Sequence, residues 1–140
     1  MDENVAEQKL ILVVDDQKAM VMTTRLFLES QGYRVVEAYD GMQALDRLLE
    51  EKPDLIILDV MMPRLDGWGT LQNMRVDERF CDIPVIMLTA LNDPKSVTKG
   101  FDLGATWYYE KPITDFMDFG LIIDRVLQGV EPPASDIQSW

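Results

Sequence analysis

Five residues with reactive or metal-binding side chains each follow a short apolar run of the sequence. They are three carboxylates, one hydroxyl and one amine: Asp15, Asp16, Asp59, Thr89 and Lys111. A single carboxylate after a strand often only caps the next helix. Three carboxylates brought together repel one another, which destabilises a fold unless a cation joins them. The residue types therefore predict a cation site, if the fold brings these side chains to one place.

Magnesium suits a site of this kind because it takes oxygen ligands, keeps several waters and bridges carboxylate to phosphate. Beside such an ion, Asp59 can act as a nucleophile and form an aspartyl phosphate. The Thr89 hydroxyl and the Lys111 ammonium would then offset charge on the transferred phosphoryl oxygens. The sequence thus predicts phosphoryl transfer to Asp59 with Mg²⁺ as the cofactor.

The elements that must position these residues alternate between short apolar strands and longer helical stretches. Their Val, Ile and Leu runs are continuous, which is typical of strands covered on both faces of a parallel sheet. The predicted strands are 10–14, 33–38, 55–58, 85–88 and 106–110. The predicted helices are 18–31, 41–51, 67–75, 94–104 and 115–127.

This alternation predicts an α/β fold, a flavodoxin-like doubly wound sheet of five parallel strands in the order 2-1-3-4-5 with five helices. Ligands of such sheets gather beyond the carboxyl ends of the strands. All five candidate residues fall at those ends, so the fold class and the proposed chemistry agree.

Composition excludes several other classes of function. The 140 residues fit one domain, and the net charge of -12 argues against direct nucleic-acid binding. The chain has no histidine, which excludes a histidine-containing catalytic triad and a histidine phosphoryl carrier within it. A lone Cys81 permits no internal disulfide. The apolar runs are too short to span a membrane and the start is acidic, so we predict a soluble, cytoplasmic protein.

We divide the chain into an N-terminal extension (1–9), one globular domain (10–128) and a linker-like tail (129–140). The tail contains Glu131-Pro132-Pro133-Ala134-Ser135 and is too short for a second domain.

Four motifs resemble those of the receiver domain of bacterial-type two-component response regulators. They are Val13-Val14-Asp15-Asp16, Leu58-Asp59-Val60-Met61-Met62-Pro63 with Asp66-Gly67, Leu88-Thr89-Ala90, and Tyr108-Tyr109-Glu110-Lys111-Pro112. All four occur in order, each at the end of a predicted strand, and the resemblance extends over about residues 10–127.

The resemblance assigns a role to each residue of the site. Asp59 becomes the phosphoacceptor, Asp15 and Asp16 become the acidic pair, and the backbone carbonyl of Met61 becomes a further metal ligand.

The family's phosphoryl-sensing pair corresponds here to Thr89 and Lys111. Tyr108 lies where the family has an aromatic side chain that swings inward when the threonine moves, and Lys111–Pro112 is expected to be a cis peptide.

The resemblance also implies partners. The donor would be a histidine kinase or a histidine phosphotransfer protein, and an unnamed protein would respond downstream. The domain would catalyse only its own phosphorylation and slow dephosphorylation, so we do not predict an enzyme.

Three alternatives compete with this interpretation. A magnesium phosphohydrolase of the haloacid dehalogenase type would carry a second aspartate two residues after the nucleophile, where this chain has Met61. A flavin-binding flavodoxin would need a Ser/Thr/Gly-rich loop after the first strand, where this chain has Asp15-Asp16-Gln17. A degenerate receiver used only for docking would not need the complete set of site residues.

Two surfaces are predicted to meet partners. On the first helix, Met20, Thr24, Phe27 and Leu28 form a core-facing stripe and leave Met22 and Leu26 outside, beside the site. On the last helix, Phe116, Phe119, Ile123 and Val126 form the core stripe, and Met117, Leu121 and Ile122 are expected to widen the apolar surface. This second surface and the adjacent edge strand predict a homodimer contact.

Overall fold

The computed structural model describes residues 8–132, in which five strands alternate with five helices. The strands are β1 (Leu10–Val14), β2 (Arg34–Ala38), β3 (Leu55–Leu58), β4 (Val85–Thr89) and β5 (Trp107–Glu110). The helices are α1 (Lys18–Ser30), α2 (Gly41–Glu50), α3 (Gly67–Val76), α4 (Pro94–Asp102) and α5 (Phe116–Leu127). The strands and helices predicted from the sequence end within two residues of these bounds.

All strand pairs are parallel and the sheet order is β2-β1-β3-β4-β5, as predicted. β1, β3 and β4 are buried along their whole length, which is why their sequences are continuously apolar. Alternate strand residues face opposite sides, so two core clusters form, one on each face of the sheet. Val14 and Leu58 are register partners at the ends of β1 and β3, which places the residues that follow them side by side.

Four helices begin at an aspartate whose side chain accepts a hydrogen bond from the backbone N–H three residues later. These N-cap residues are Asp40, Asp66, Asp93 and Asp115. Each cap satisfies one N–H that has no partner within its own helix. These capped helix starts follow the carboxyl ends of the strands, at the edge of the sheet where the site lies.

The buried faces of α1 and α5 differ in part from those predicted from the sequence. On α1, Val21 joins Thr24 and Leu28 in the core, whereas Met20 and Phe27 are only half-buried. On α5, the expectation for Ile122 was wrong, because it is 1% exposed and packs in the core under the sheet. The core face of α5 is thus wider than a stripe with one residue per turn.

The described residues only partly cover the predicted N-terminal extension and C-terminal tail. Residues 1–7 and 133–140, which hold most of the predicted extension and tail, lie outside them. Within residues 8–132, no helix is long and apolar enough to cross a membrane. The domain limits and the cytoplasmic location stay predictions.

Candidate functional site

Lys111 joins two of the predicted site carboxylates. Its ammonium Nζ lies 2.5 Å from Oδ2 of Asp15 and 2.9 Å from Oδ2 of Asp59. Both aspartates are buried, at 3% and 6% exposure, and the Lys111 side chain is only 13% exposed. One cation therefore partly neutralises two carboxylates at the carboxyl edge of the sheet.

Backbone groups fix the other oxygen of each carboxylate. Oδ1 of Asp15 accepts a hydrogen bond from the N–H of Gln17 at 3.0 Å, and Oδ1 of Asp59 accepts one from the N–H of Val60 at 2.7 Å. The Asp59 N–H donates to the carbonyl of Val14 at 3.0 Å, which continues the β1–β3 ladder. The two side chains are thus held at neighbouring strand ends in a defined orientation.

Burial shifts the pKa values of Asp15 and Lys111, and the hydrogen bond between them opposes burial in both. Burial raises the pKa of Asp15 above its ordinary value, and the hydrogen bond from Lys111 opposes this shift without cancelling it. Burial alone would lower the pKa of Lys111, but its hydrogen bonds to Asp15 and Asp59 outweigh burial, so its pKa is raised. Lys111 stays charged, and the site favours additional positive charge.

A divalent cation fits this donor set. Carboxylate oxygens of Asp15, Asp16 and Asp59 lie within 4.8 Å of one another, and Asp16 is exposed to solvent. Oxygen ligands with room for water are the ligands that Mg²⁺ prefers. The residues that would hold the ion are these aspartates, with the backbone carbonyl of Met61 as the further ligand predicted from the sequence.

Thr89 is the last residue of β4, beside the site, and it accepts hydrogen bonds from the segment after β5 and from the loop after β4. Its carbonyl accepts a hydrogen bond from the N–H of Lys111 at 2.9 Å, and its Oγ1 accepts one from the N–H of Leu91 at 3.3 Å. The cis peptide predicted between Lys111 and Pro112 is present.

Tyr108, for which the resemblance to receiver domains predicts a switch role, lies in β5. Its side chain is fully buried, and its hydroxyl donates to the carbonyl of Leu91 at 2.5 Å. Burial, followed by the charges of Asp93 and Asp59, raises the pKa of Tyr108 to about 12, so the hydroxyl stays protonated as a donor. Leu91 is thus linked both to Thr89 and to Tyr108.

An open groove of about 700 Å³ begins at the exposed side of the carboxylate cluster. Its lining is mostly apolar and includes two aspartates: Asp16, Val60, Met61, Met62, Pro63, Asp66, Trp68 and Leu91. Any group that approaches Asp59 from this side passes along thioether and aliphatic surface.

Comparison with known proteins agrees with this geometry. Residues 11–117 match the family model described as the response regulator receiver domain. This chain belongs to that family. It is therefore a receiver domain of two-component signalling, as its four motifs predicted.

Two curated relatives are longer than this receiver domain. The DNA-binding dual master transcriptional regulator RpaA of Synechocystis is 44% identical over 102 residues, which are 73% of this chain and 42% of RpaA. The transcriptional regulatory protein PhoP of Bacillus subtilis, named for alkaline phosphatase synthesis, is 42% identical over 106 residues, which are 76% of this chain and 43% of PhoP. The chain spans less than half the length of both regulators.

The fold is shared with solved receiver structures. The chemotaxis protein CheY4 of Vibrio cholerae superposes with a TM-score of 0.80 and 29% sequence identity, over 85% of this chain and 98% of CheY4. The flavodoxin-like architecture predicted from the alternating pattern is thus that of a receiver.

Two glycines lie so close to predicted site residues that a side chain would not fit. A Cβ on Gly67 would lie 2.2 Å from the carbonyl oxygen of Asp59. A Cβ on Gly100, in α4, would lie 2.9 Å from the ring of Tyr108. The only sequence signal for Gly100 was a glycine inside a helix, which is unfavourable without a packing reason.

Proposed function

We propose that this receiver domain accepts a phosphoryl group on Asp59 from a phosphohistidine of a partner protein, with Mg²⁺ as cofactor. The observation that carries the proposal is the contact of one buried ammonium with both Asp15 and Asp59, next to the exposed carboxylate of Asp16. A site built only for stability would need no third, solvent-facing carboxylate beside two carboxylates that already share one ammonium.

In the proposed reaction a carboxylate oxygen of Asp59 attacks phosphorus in line with the donor imidazole. The new P–O bond forms as the P–N bond breaks, and the electron pair of that bond stays on the imidazole nitrogen. Lys111 lies close enough to Asp59 to donate a hydrogen bond to a transferred phosphoryl oxygen in place of the carboxylate, and the Thr89 hydroxyl can donate to another phosphoryl oxygen. A bound Mg²⁺ would supply charge neutralisation between the carboxylates and the phosphoryl group.

The signal would then leave the site through the β4–α4 loop. A phosphoryl oxygen that recruits the Thr89 hydroxyl competes with the hydrogen bond between Thr89 and Leu91. Since Tyr108 binds the carbonyl of the same Leu91, its position follows that of the loop. We propose Tyr108 as the switch residue on these grounds, and an altered α4–β5 surface as the message to a downstream protein.

The position two residues after Asp59 supports a signalling role over hydrolysis of small substrates. Met61 is 65% exposed and lines the approach to Asp59, and its thioether cannot serve as a general acid or base. The donor would be a histidine kinase or phosphotransfer protein, since this chain contains no histidine. Two relatives are named as transcriptional regulators, which favours a regulatory output. Because this segment is acidic, we propose that the output is produced outside it.

Intact-mass spectrometry after incubation with acetyl phosphate and magnesium tests the proposal. Wild type should gain the mass of one phosphoryl group, and Asp59→Ala should gain none. Asp46→Asn, which changes an exposed carboxylate on α2, is the matched control and should label like wild type. Unlabelled wild type, or labelling that survives Asp59→Ala, would refute phosphorylation at Asp59.

A further inference from the structure

Asp40 is a further buried carboxylate, which is not among the predicted magnesium ligands. It is held by Arg64, a cation of the loop after Asp59. Asp40 is 0% exposed, and its Oδ1 caps α2 by accepting a hydrogen bond from the N–H of Gln43 at 2.8 Å. Its Oδ2 accepts hydrogen bonds from Arg64, with Nε at 2.8 Å and Nη2 also in contact. Arg64 belongs to the β3–α3 loop, five residues after the acceptor.

The backbone of this loop rests directly on the first turn of α2. The carbonyl of Leu65 accepts a hydrogen bond from the N–H of Gly41 at 2.9 Å. A Cβ on Gly41 would lie 2.4 Å from that carbonyl oxygen, so only glycine allows the contact. Arg64 itself has φ 65°, a left-handed conformation that is unfavourable for a residue with a side chain. The side chain of the same residue forms the ion pair with Asp40.

The other end of the loop is tied to the acceptor. The carbonyl of Val60 accepts a hydrogen bond from the N–H of Gly67 at 2.7 Å, and Gly67 packs against the backbone of Asp59. The segment between these ties carries Met61. Its path is therefore set by two anchors, one at Val60 and Gly67 and one on α2.

We propose that Asp40, acting through Arg64, is a positioning residue for the phosphorylation site. The pair fixes the path of the β3–α3 loop and thereby the backbone of Met61, so it controls how tightly the site holds a divalent cation. This inference rests on the proposed function, because it assumes that the aspartate cluster binds Mg²⁺. Neither residue belongs to the predicted site.

The test measures magnesium binding without a phosphodonor. Thermal melts across a magnesium titration, fitted to the logarithmic rise of stability with magnesium concentration, give the half-saturating concentration for wild type, Arg64→Ala, Asp40→Asn and the double variant. Arg64→Ala should raise this concentration about tenfold, as is typical when a residue that supports a metal site is lost. The half-saturating concentration of the double variant should be no higher than that of Arg64→Ala, since the two residues act as one pair. Faster hydrogen exchange of residues 60–66 should accompany the change.

A matched control and a conservative variant make the result decisive. Arg79→Ala removes another arginine of an Asp–Arg pair with nearly the same exposure, 64% against 65%, and should leave the half-saturating magnesium concentration unchanged. Arg64→Lys keeps the charge and should give a value between those of wild type and Arg64→Ala. An unchanged value in Arg64→Ala, or in Asp40→Asn if Arg64→Ala does not fold, would overturn the inference. If wild type does not respond to magnesium at all, the proposed function fails instead.

Discussion

The α-carbon of Gly67 packs against the carbonyl oxygen of Asp59, so closely that a Cβ at residue 67 would lie 2.2 Å from that oxygen. The N–H of Gly67 also donates to the carbonyl of Val60. The start of α3 therefore sets the backbone position of the acceptor, and a side chain at residue 67 would have to push the two apart.

Gly67→Ala should lower the free energy of unfolding by about 1–3 kcal/mol, because the added methyl group meets backbone that cannot move aside. Urea denaturation measures this change. Gly120→Ala is the control, because its Cβ would meet only the end of the half-buried Phe27 ring, at 3.1 Å. That variant should lose no stability, since alanine is favoured over glycine within a helix by about 1 kcal/mol. Equal losses in both variants would contradict the role of Gly67.

Millimolar magnesium should raise the melting temperature, because an ion that binds only the native state stabilises it by mass action. At ten times the dissociation constant the gain is about 1.4 kcal/mol. Asp16→Asn should weaken the response by removing one charged ligand and should reduce repulsion in the metal-free protein. Asp46→Asn should respond like wild type. A melting curve that magnesium leaves unchanged would count heavily against the site.

The outer face of α1 is predicted to receive the phosphodonor. Met22 and Leu26 are 63% and 61% exposed, as the sequence indicated, on the helix that follows Asp15 and Asp16. We predict that a donor histidine reaches Asp59 from this side. Changing both residues to glutamine should slow transfer from a phosphohistidine donor and leave labelling by acetyl phosphate intact.

Leu49→Gln is the control for this surface, since Leu49 is 61% exposed but lies near the end of α2. It should slow neither reaction. If the α1 variant lost both reactions equally, damage to the fold would explain the result better than lost docking.

The phosphorylated state is predicted to decay slowly. Hydrolysis needs a water opposite the departing carboxylate, and polar neighbours help to orient that water. The two positions that flank this approach in the receiver family hold Met61 and Leu91, and both line the apolar groove beside the site. Neither side chain can hydrogen-bond a water strongly.

Replacing Met61 by Asn and Leu91 by Glu should therefore speed the loss of phosphate, measured by intact mass over time after the donor is removed. The circular dichroism spectrum should not change. A double variant that decays no faster than wild type would place the barrier elsewhere, with Lys111 and magnesium as the remaining determinants.

The homodimer contact predicted for α5 and the edge strand stays a prediction. Met117 and Leu121 are 81% and 58% exposed, which leaves an apolar surface on this helix. Ile122, which was expected to belong to that surface, is buried and makes it narrower than the sequence indicated.

The sequence by itself determined the sheet and the location of the site. Buried parallel strands need continuous apolar residues, so β1, β3 and β4 are evident from composition alone. Since the carboxyl ends of parallel strands meet at one edge, Asp15, Asp59 and Lys111 could be predicted to converge without any knowledge of their distances. The aspartate caps that begin four helices are local in the same sense, because each joins residues three apart in the sequence.

Only the tertiary structure decided how elements distant in the sequence touch. Periodicity tells which face of a helix is buried, but not which neighbour lies against it. The pairing of Asp40 with Arg64 and the approach of Gly100 to Tyr108 are of this kind. Each depends on the packing distance between two elements, and that distance results from all the side chains between them, so no local pattern of residues encodes it.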